Sequence, residues 1–263
     1  MRPYWALAKG SYLAWMVYRF STLFTLVSNL LYMVVIYFLW RNIYSGAETL
    51  NGMTFNQAFV YLTLAGSIFN GLKTWVDWSM SRSIITGGIA TDVVKPLDYQ
   101  MQMLFRSAGT VLYNFTVISI PSAILLLVVF RAEITPGLGL LLFPLSLVFA
   151  FLINFVLDYA VGLTSFYTES LWGISMTKEI IVTLLSGALV PIQFFPEAGQ
   201  AILRLLPFQA IYHIPLTMIV SPNLPATDYL AMLGVQGFWA VLLFALSRLF
   251  YRRASQVLFI NGG

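Results

Sequence analysis

Residues 21–40 read STLFTLVSNLLYMVVIYFLW, twenty positions without a charged side chain. A helix of about 20 apolar residues is what it takes to cross a bilayer's hydrocarbon layer. The rest of the chain has the same character. Of its 263 residues, 59% are hydrophobic and 16% aromatic, while only 9% are charged, against about 25% in ordinary soluble proteins. A water-facing surface cannot be built from so few charges. The expected fold class is an all-α integral membrane protein, because helices satisfy their own backbone groups where no water is present.

Working outward, five more stretches meet the length and polarity of a span: about 54–76, 107–130, 137–166, 177–194 and 227–250. Pro144 lies inside the fourth and predicts a tilt or kink there. Six spans place both termini on one side. With the termini inside, that side holds Arg2, Lys9, Arg19, Lys73, Arg82, Lys95, Arg106, Lys178, Arg248, Arg252 and Arg253, leaving Arg41, Arg131 and Arg204 outside, a bias of eleven to three. The positive-inside rule therefore predicts cytoplasmic termini. Arg2, Lys9 and Arg19 are spread through an aromatic segment with no small-residue cleavage pattern after it, so a cleavable signal is not expected.

Three stretches are not spans. Residues 1–20 mix aromatics with scattered cations, a pattern suited to a helix lying in the inner interface. Residues 82–102, RSIITGGIATDVVKPLDYQMQ, interrupt the grease on the cytoplasmic side. Gly87-Gly88 breaks the incoming helix, IATDVV is too short to span, and Lys95-Pro96 ends it. Asp98 is then placed to cap a helix that feeds the third span. Residues 191–222 carry prolines at 191, 196, 207 and 215. This stretch reads as an outer re-entrant hairpin between the fifth and sixth spans, with a short amphipathic helix over EAGQAILRLL.

Catalytic signals are sparse. There is no cysteine and one histidine, His213, which excludes thiolate chemistry and a histidine metal cluster. GSIFNGLKT lacks both the spacing and the strand-to-helix setting of a phosphate loop. Asp158 is the one acidic residue well inside a span, with Asn154 one turn earlier on the same face. Its burial costs about 2.5–3.5 kcal/mol. The pair either forms a polar patch on a transport route or protomer interface, or reaches for the inner membrane surface. Replacing Asp158 with Leu is expected to leave expression intact and reduce transport or assembly.

Three motifs carry a family likeness: SIITGGIATDVVKPLD, SGALVPIQFFPEAGQAILRLLPFQAIYHIP and the tail RRASQVLFINGG. With six spans, they make the whole chain resemble the permease subunits of type-2 ATP-binding-cassette exporters, in the short form without a large soluble insertion. The resemblance implies one transmembrane permease domain, 1–263, forming half of a translocation pathway. It also implies a separate cytoplasmic ATPase dimer carrying ATP and Mg, a second permease protomer, alike or different, and a bacterial inner-membrane location. No catalytic role, cofactor or metal is expected on this chain. The substrate would be a drug-like molecule, lipid or glycan. Gly87, Gly88, Ile89, Asp92, Val93, Val94 and Pro96 would form the coupling helix that meets the ATPase, with Ile89, Val93 and Val94 as apolar contact and Asp92 as an orienting charge. Pro191, Phe195, Pro196, Pro207, Phe208 and His213 would belong to the outer gate. The alternatives are an ion-coupled secondary transporter, which would need more intramembrane charge than Asp158, and a non-catalytic assembly subunit.

Overall fold

A computed structural model describes residues 2–168 and 170–261. Two helices open the chain, α1 (Arg2–Trp15) and α2 (Arg19–Ile43). A tight hairpin follows, in which Thr49–Leu50 (β1) pairs with Met53–Thr54 (β2). Asn51 and Gly52 both have positive φ, 49° and 79°, the conformation a two-residue hairpin turn demands. Thr54 then starts α3 (Phe55–Gly71) with a reciprocal cap: its hydroxyl accepts from the Gln57 amide, and the Gln57 side chain accepts from the Thr54 amide.

The expected second span does not run on as one helix. It stops at Gly71 and resumes at Val76 as α4 (Val76–Ile85). Beyond the short α5 (Ile89–Val93), α6 (Tyr99–Asn114) passes through a wide π turn, Phe115–Ser119, into α7 (Ile120–Val128). Asp98 caps α6 as the sequence predicts, accepting from the Met101 amide at 3.0 Å. α8 (Leu138–Leu163) runs through Pro144 without ending. α9 (Trp172–Leu185) is displaced from the expected 177–194, because the chain turns at Gly187, φ 80°. The proline-rich stretch forms α10 (Glu197–Leu205) and α11 (His213–Val220), and α12 (Ala226–Asn261) closes the fold.

Among the described residues, four segments are long and apolar enough to cross a membrane: Phe20–Ile43, Tyr99–Val128, Leu138–Phe166 and Ala226–Gln256. α3, at 17 residues, and α9, at 14, are shorter than these. The chain is thus an all-α membrane protein whose only described strands are β1 and β2.

The core lies where α3 meets α2, α8 and α11. Phe59, Tyr61, Leu62 and Ala65 of α3 pack there with Ile153, Leu216 and Tyr229. α11 is buried along its whole length. Gln236 ties the bundle together, donating to the carbonyls of Ala210 (2.7 Å) and Ser146 (3.2 Å). α1 runs alongside α6 in the same direction. Tyr4 meets Phe105, Gly109 lies against the Ala8 backbone, and Tyr12 reaches Thr116.

Candidate functional site

Two arrangements carry polar chemistry, and α4 links them. The first is the elbow around α5. Gly87 adopts φ 73°, a left-handed conformation that an L side chain resists, and this lets α5 leave the axis of α4. Within α5 the side chains divide. Ile89 is 1% exposed and packs with Met80, Tyr99 and Met103. Asp92 also turns inward, meeting Lys95 at 2.6 Å and Arg106 at 3.2 Å. Val93 and Val94 face out, at 43% and 84% exposure. The sequence expectation gave Ile89 and Asp92 an outward role. The structure instead uses both to fix α5 on the body of the protein, because one short turn cannot present all of its side chains to one face.

The elbow is held from its far side as well. The Gln102 amide group donates to the carbonyls of Asp92 (3.2 Å) and Leu97 (3.1 Å). Asp98 meets Arg248 of α12 at 2.5 Å. Burial opposes ionisation of Asp92, but hydrogen bonds and charge from Lys95 and Arg106 outweigh it and hold the carboxyl below its ordinary range. The Arg248 hydrogen bond, against some burial, does the same for Asp98.

The second arrangement surrounds the break between α3 and α4. Leu72 and Lys73 lose helical partners for their carbonyls, and two asparagines replace them. Asn154 donates to Leu72 O at 3.0 Å, and Asn114 donates to Lys73 O at 3.2 Å. Trp75 restarts the chain in a left-handed conformation, φ 55°, which is uncommon for a bulky residue and marks local strain.

Asp158, 4% exposed, lies beside this break. It accepts from the Thr74 hydroxyl at 2.5 Å and meets the Lys178 ammonium of α9 at 2.5 Å. Asn154 stands 3.4 Å away. Asp77 accepts from the Ser175 hydroxyl at 2.5 Å, and Lys73 pairs with Glu179 at 3.3 Å. A buried pair is tolerable only when its remaining polar groups are also satisfied, and Thr74 and Asn154 both donate to the second oxygen of Asp158. The cluster joins α4, α8 and α9 around a small cavity of about 50 Å³, walled partly by Phe69, Trp75, Trp78 and Tyr212. Sequence reading found Asn154 and Asp158 but missed Asp77, Lys178 and Glu179.

The residues expected in an outer hairpin do not form one unit. His213 is buried, 3.2 Å from the Tyr61 hydroxyl, which donates to Gly187 O at 3.0 Å. Pro191 is buried, Phe195, Pro207 and Phe208 are partly covered, and Pro196 is exposed at the start of α10. Ile202 and Leu205 of α10 are exposed at 61% and 75%.

The apolar helices fit a membrane component, and the comparison with known families decides its kind. A model described as ABC-2 family transporter protein matches residues 30–262. The chain belongs to the ABC-2 transporter family. It is therefore a multi-pass membrane permease component of an ABC transporter, and its family works with an ABC ATPase. No curated protein and no solved structure matches it. The ABC-2 match takes in both the elbow and the cluster, while α1 lies before it. Of the glycine-ended tail, Gly262 and Gly263 lie outside the described residues.

Proposed function

We propose that this permease forms half of an export pathway and receives the motion of its ATPase at Gly87–Pro96. The observation that carries this reading is the division of α5. Val93 and Val94 are exposed beside a turn whose other side is locked to α4, α6 and α12 through Ile89, Asp92 and Asp98. A displacement applied at the two valines then moves α4 and α6 together. A chain that merely reverses direction needs only a few residues and no such internal fastening.

In this reading the chain crosses the membrane six times, with α3–α4 and α9 as the second and fifth crossings and both termini cytoplasmic. α1 occupies the inner interface. The outer segment 191–222 closes the external end of the pathway, with α11 re-entering the bundle. ATP and Mg²⁺ act on the partner ATPase, and this chain performs no catalysis. A second permease, identical or different, supplies the other half, in a bacterial inner membrane. The substrate is a drug-like molecule, a lipid or a glycan.

The test is co-purification of the tagged full-length chain in mild detergent, read as ATP hydrolysis in the eluate. Val94→Glu places a charge on the exposed face without touching the fastened one. Hydrolysis should co-elute with the unmodified chain and fall to background with V94E, while the permease yield stays constant. An eluate without ATPase activity, or activity indifferent to V94E, overturns the reading.

A further inference from the structure

Lys73 is enclosed in an unusual way. Its ammonium lies 4.8 Å from the Phe69 ring centroid and 5.3 Å from that of Trp75, and 3.3 Å from the Glu179 carboxylate. Two aromatic faces and a carboxylate around a cation are the elements of an organic-ammonium site. Here the chain's own lysine occupies it. The Lys73 side chain stays 32% exposed and lines the cavity, so it is removable rather than built into the core.

Three further observations agree. The cavity lining holds three carboxylates, Asp77, Asp158 and Glu179, against two ammonium groups, Lys73 and Lys178. Trp75 is held in a left-handed backbone conformation, and such strain persists where the surroundings impose a particular side-chain direction. Trp75 and Trp78 also wall an adjoining groove of about 800 Å³, with Trp15 and Trp172. That groove gives an aromatic body a place to lie while its charged end enters the cage. Arg82 lines the same groove about two turns further along α4, so the cationic end is directed to the Glu179 end.

From this geometry we infer that Phe69, Trp75 and Glu179 form a substrate site for amphipathic organic cations, and that Lys73 is its resident plug. The inference rests on the transport reading above and names the substrate class for it. An incoming quaternary ammonium or aromatic cation displaces the Lys73 ammonium from the two rings and takes its place against Glu179. No bond forms or breaks; the displaced Lys73 ammonium stays on the chain, and the incoming cation adds one positive charge beside the three carboxylates.

The probe is benzyltrimethylammonium, titrated into the full-length permease in lipid nanodiscs and followed by tryptophan fluorescence. Its uncharged isostere, neopentylbenzene, is the control for simple partitioning. Saturable binding is expected for the cation and not for the isostere. Glu179→Gln should weaken it about tenfold. Lys73→Met removes the competing plug and should tighten it by a similar factor, a gain that a misfolded protein cannot give. Equal responses to cation and isostere, or an affinity that neither variant changes, would overturn the inference. Because the measurement needs no ATPase, its failure leaves the coupling role of Val93 and Val94 standing. Loss of ATPase co-purification, in turn, leaves the cation site untouched.

Discussion

The ammonium of Lys178 on α9 lies 2.5 Å from the carboxylate of Asp158 on α8, with their side chains 19% and 6% exposed. This pair ties a helix of 14 residues to one of 26, next to the point where α3 gives way to α4. Removing one partner strands the other charge in a largely buried position, at a cost of about 3–5 kcal/mol. Asp158→Leu should therefore lower folded yield and melting temperature, not transport alone as its sequence context suggests. The double replacement D158N/K178M should recover most of the loss. Thermal unfolding in detergent measures both, and equal instability of the single and double variants would refute the pairing.

Ile89 and Val94 stand five positions apart and should behave oppositely. Ile89 is 1% exposed, so Ile89→Ala opens a cavity and should destabilise the protein by about 2–4 kcal/mol. Val94, at 84% exposure, contributes little to stability, and Val94→Ala should shift the melting temperature hardly at all. A comparable loss for both would mean that α5 is not divided as described.

Asp92 and Asp98 give the elbow a dependence on acidity. Both carboxyls are held below their ordinary range in the folded protein, so folding favours their ionised forms. The stability they contribute is complete above the unfolded value, near pH 4, and is lost as pH falls through the lower folded value. Protease resistance around residues 82–102 should stay flat from about pH 7 to pH 5 and decline below about pH 4. Asp98→Asn keeps a capping side chain but gives up the charge paired with Arg248, and should make that decline shallower. A decline that begins near neutrality would point to other groups.

What could be read from the sequence was what local chemistry decides. Asp98 announces itself because a cap acts on amides three residues away. The glycine break before α5 follows from a backbone conformation at Gly87 itself. The interruption at Leu72–Trp75 has no such local signal. It depends on Asn114 and Asn154, side chains from two other helices that donate to the orphaned carbonyls. Lys178 looked like one more inner cation, since only the fold sets it against Asp158. The Asn51-Gly52 turn is a readable hairpin signal, but it sits directly against an apolar run whose span pattern hides it.

The contact between α1 and α6 rests on one missing methyl group. A Cβ built on Gly109 would run into the carbonyl of Ala8, and the obstruction is backbone, which cannot rotate aside. Around it α1 is fastened by side chains: the Trp15 indole donates to the Thr110 hydroxyl at 3.0 Å, and Tyr4 and Trp5 both pack on Phe105. Gly109→Ala must push α1 outward and weaken each of these at once, a cost of about 1–3 kcal/mol. Because α1 precedes the matched family region, its release should leave the bundle intact. Limited proteolysis should then show faster cleavage within residues 2–18, with the bundle resistant and the overall melting temperature little changed. Gly10 serves as the comparison, since a Cβ there meets nothing within 4 Å, so Gly10→Ala should leave cleavage at the wild-type rate. Equal protection of α1 in G109A and G10A would show that the close approach to Ala8 does not hold this helix in place.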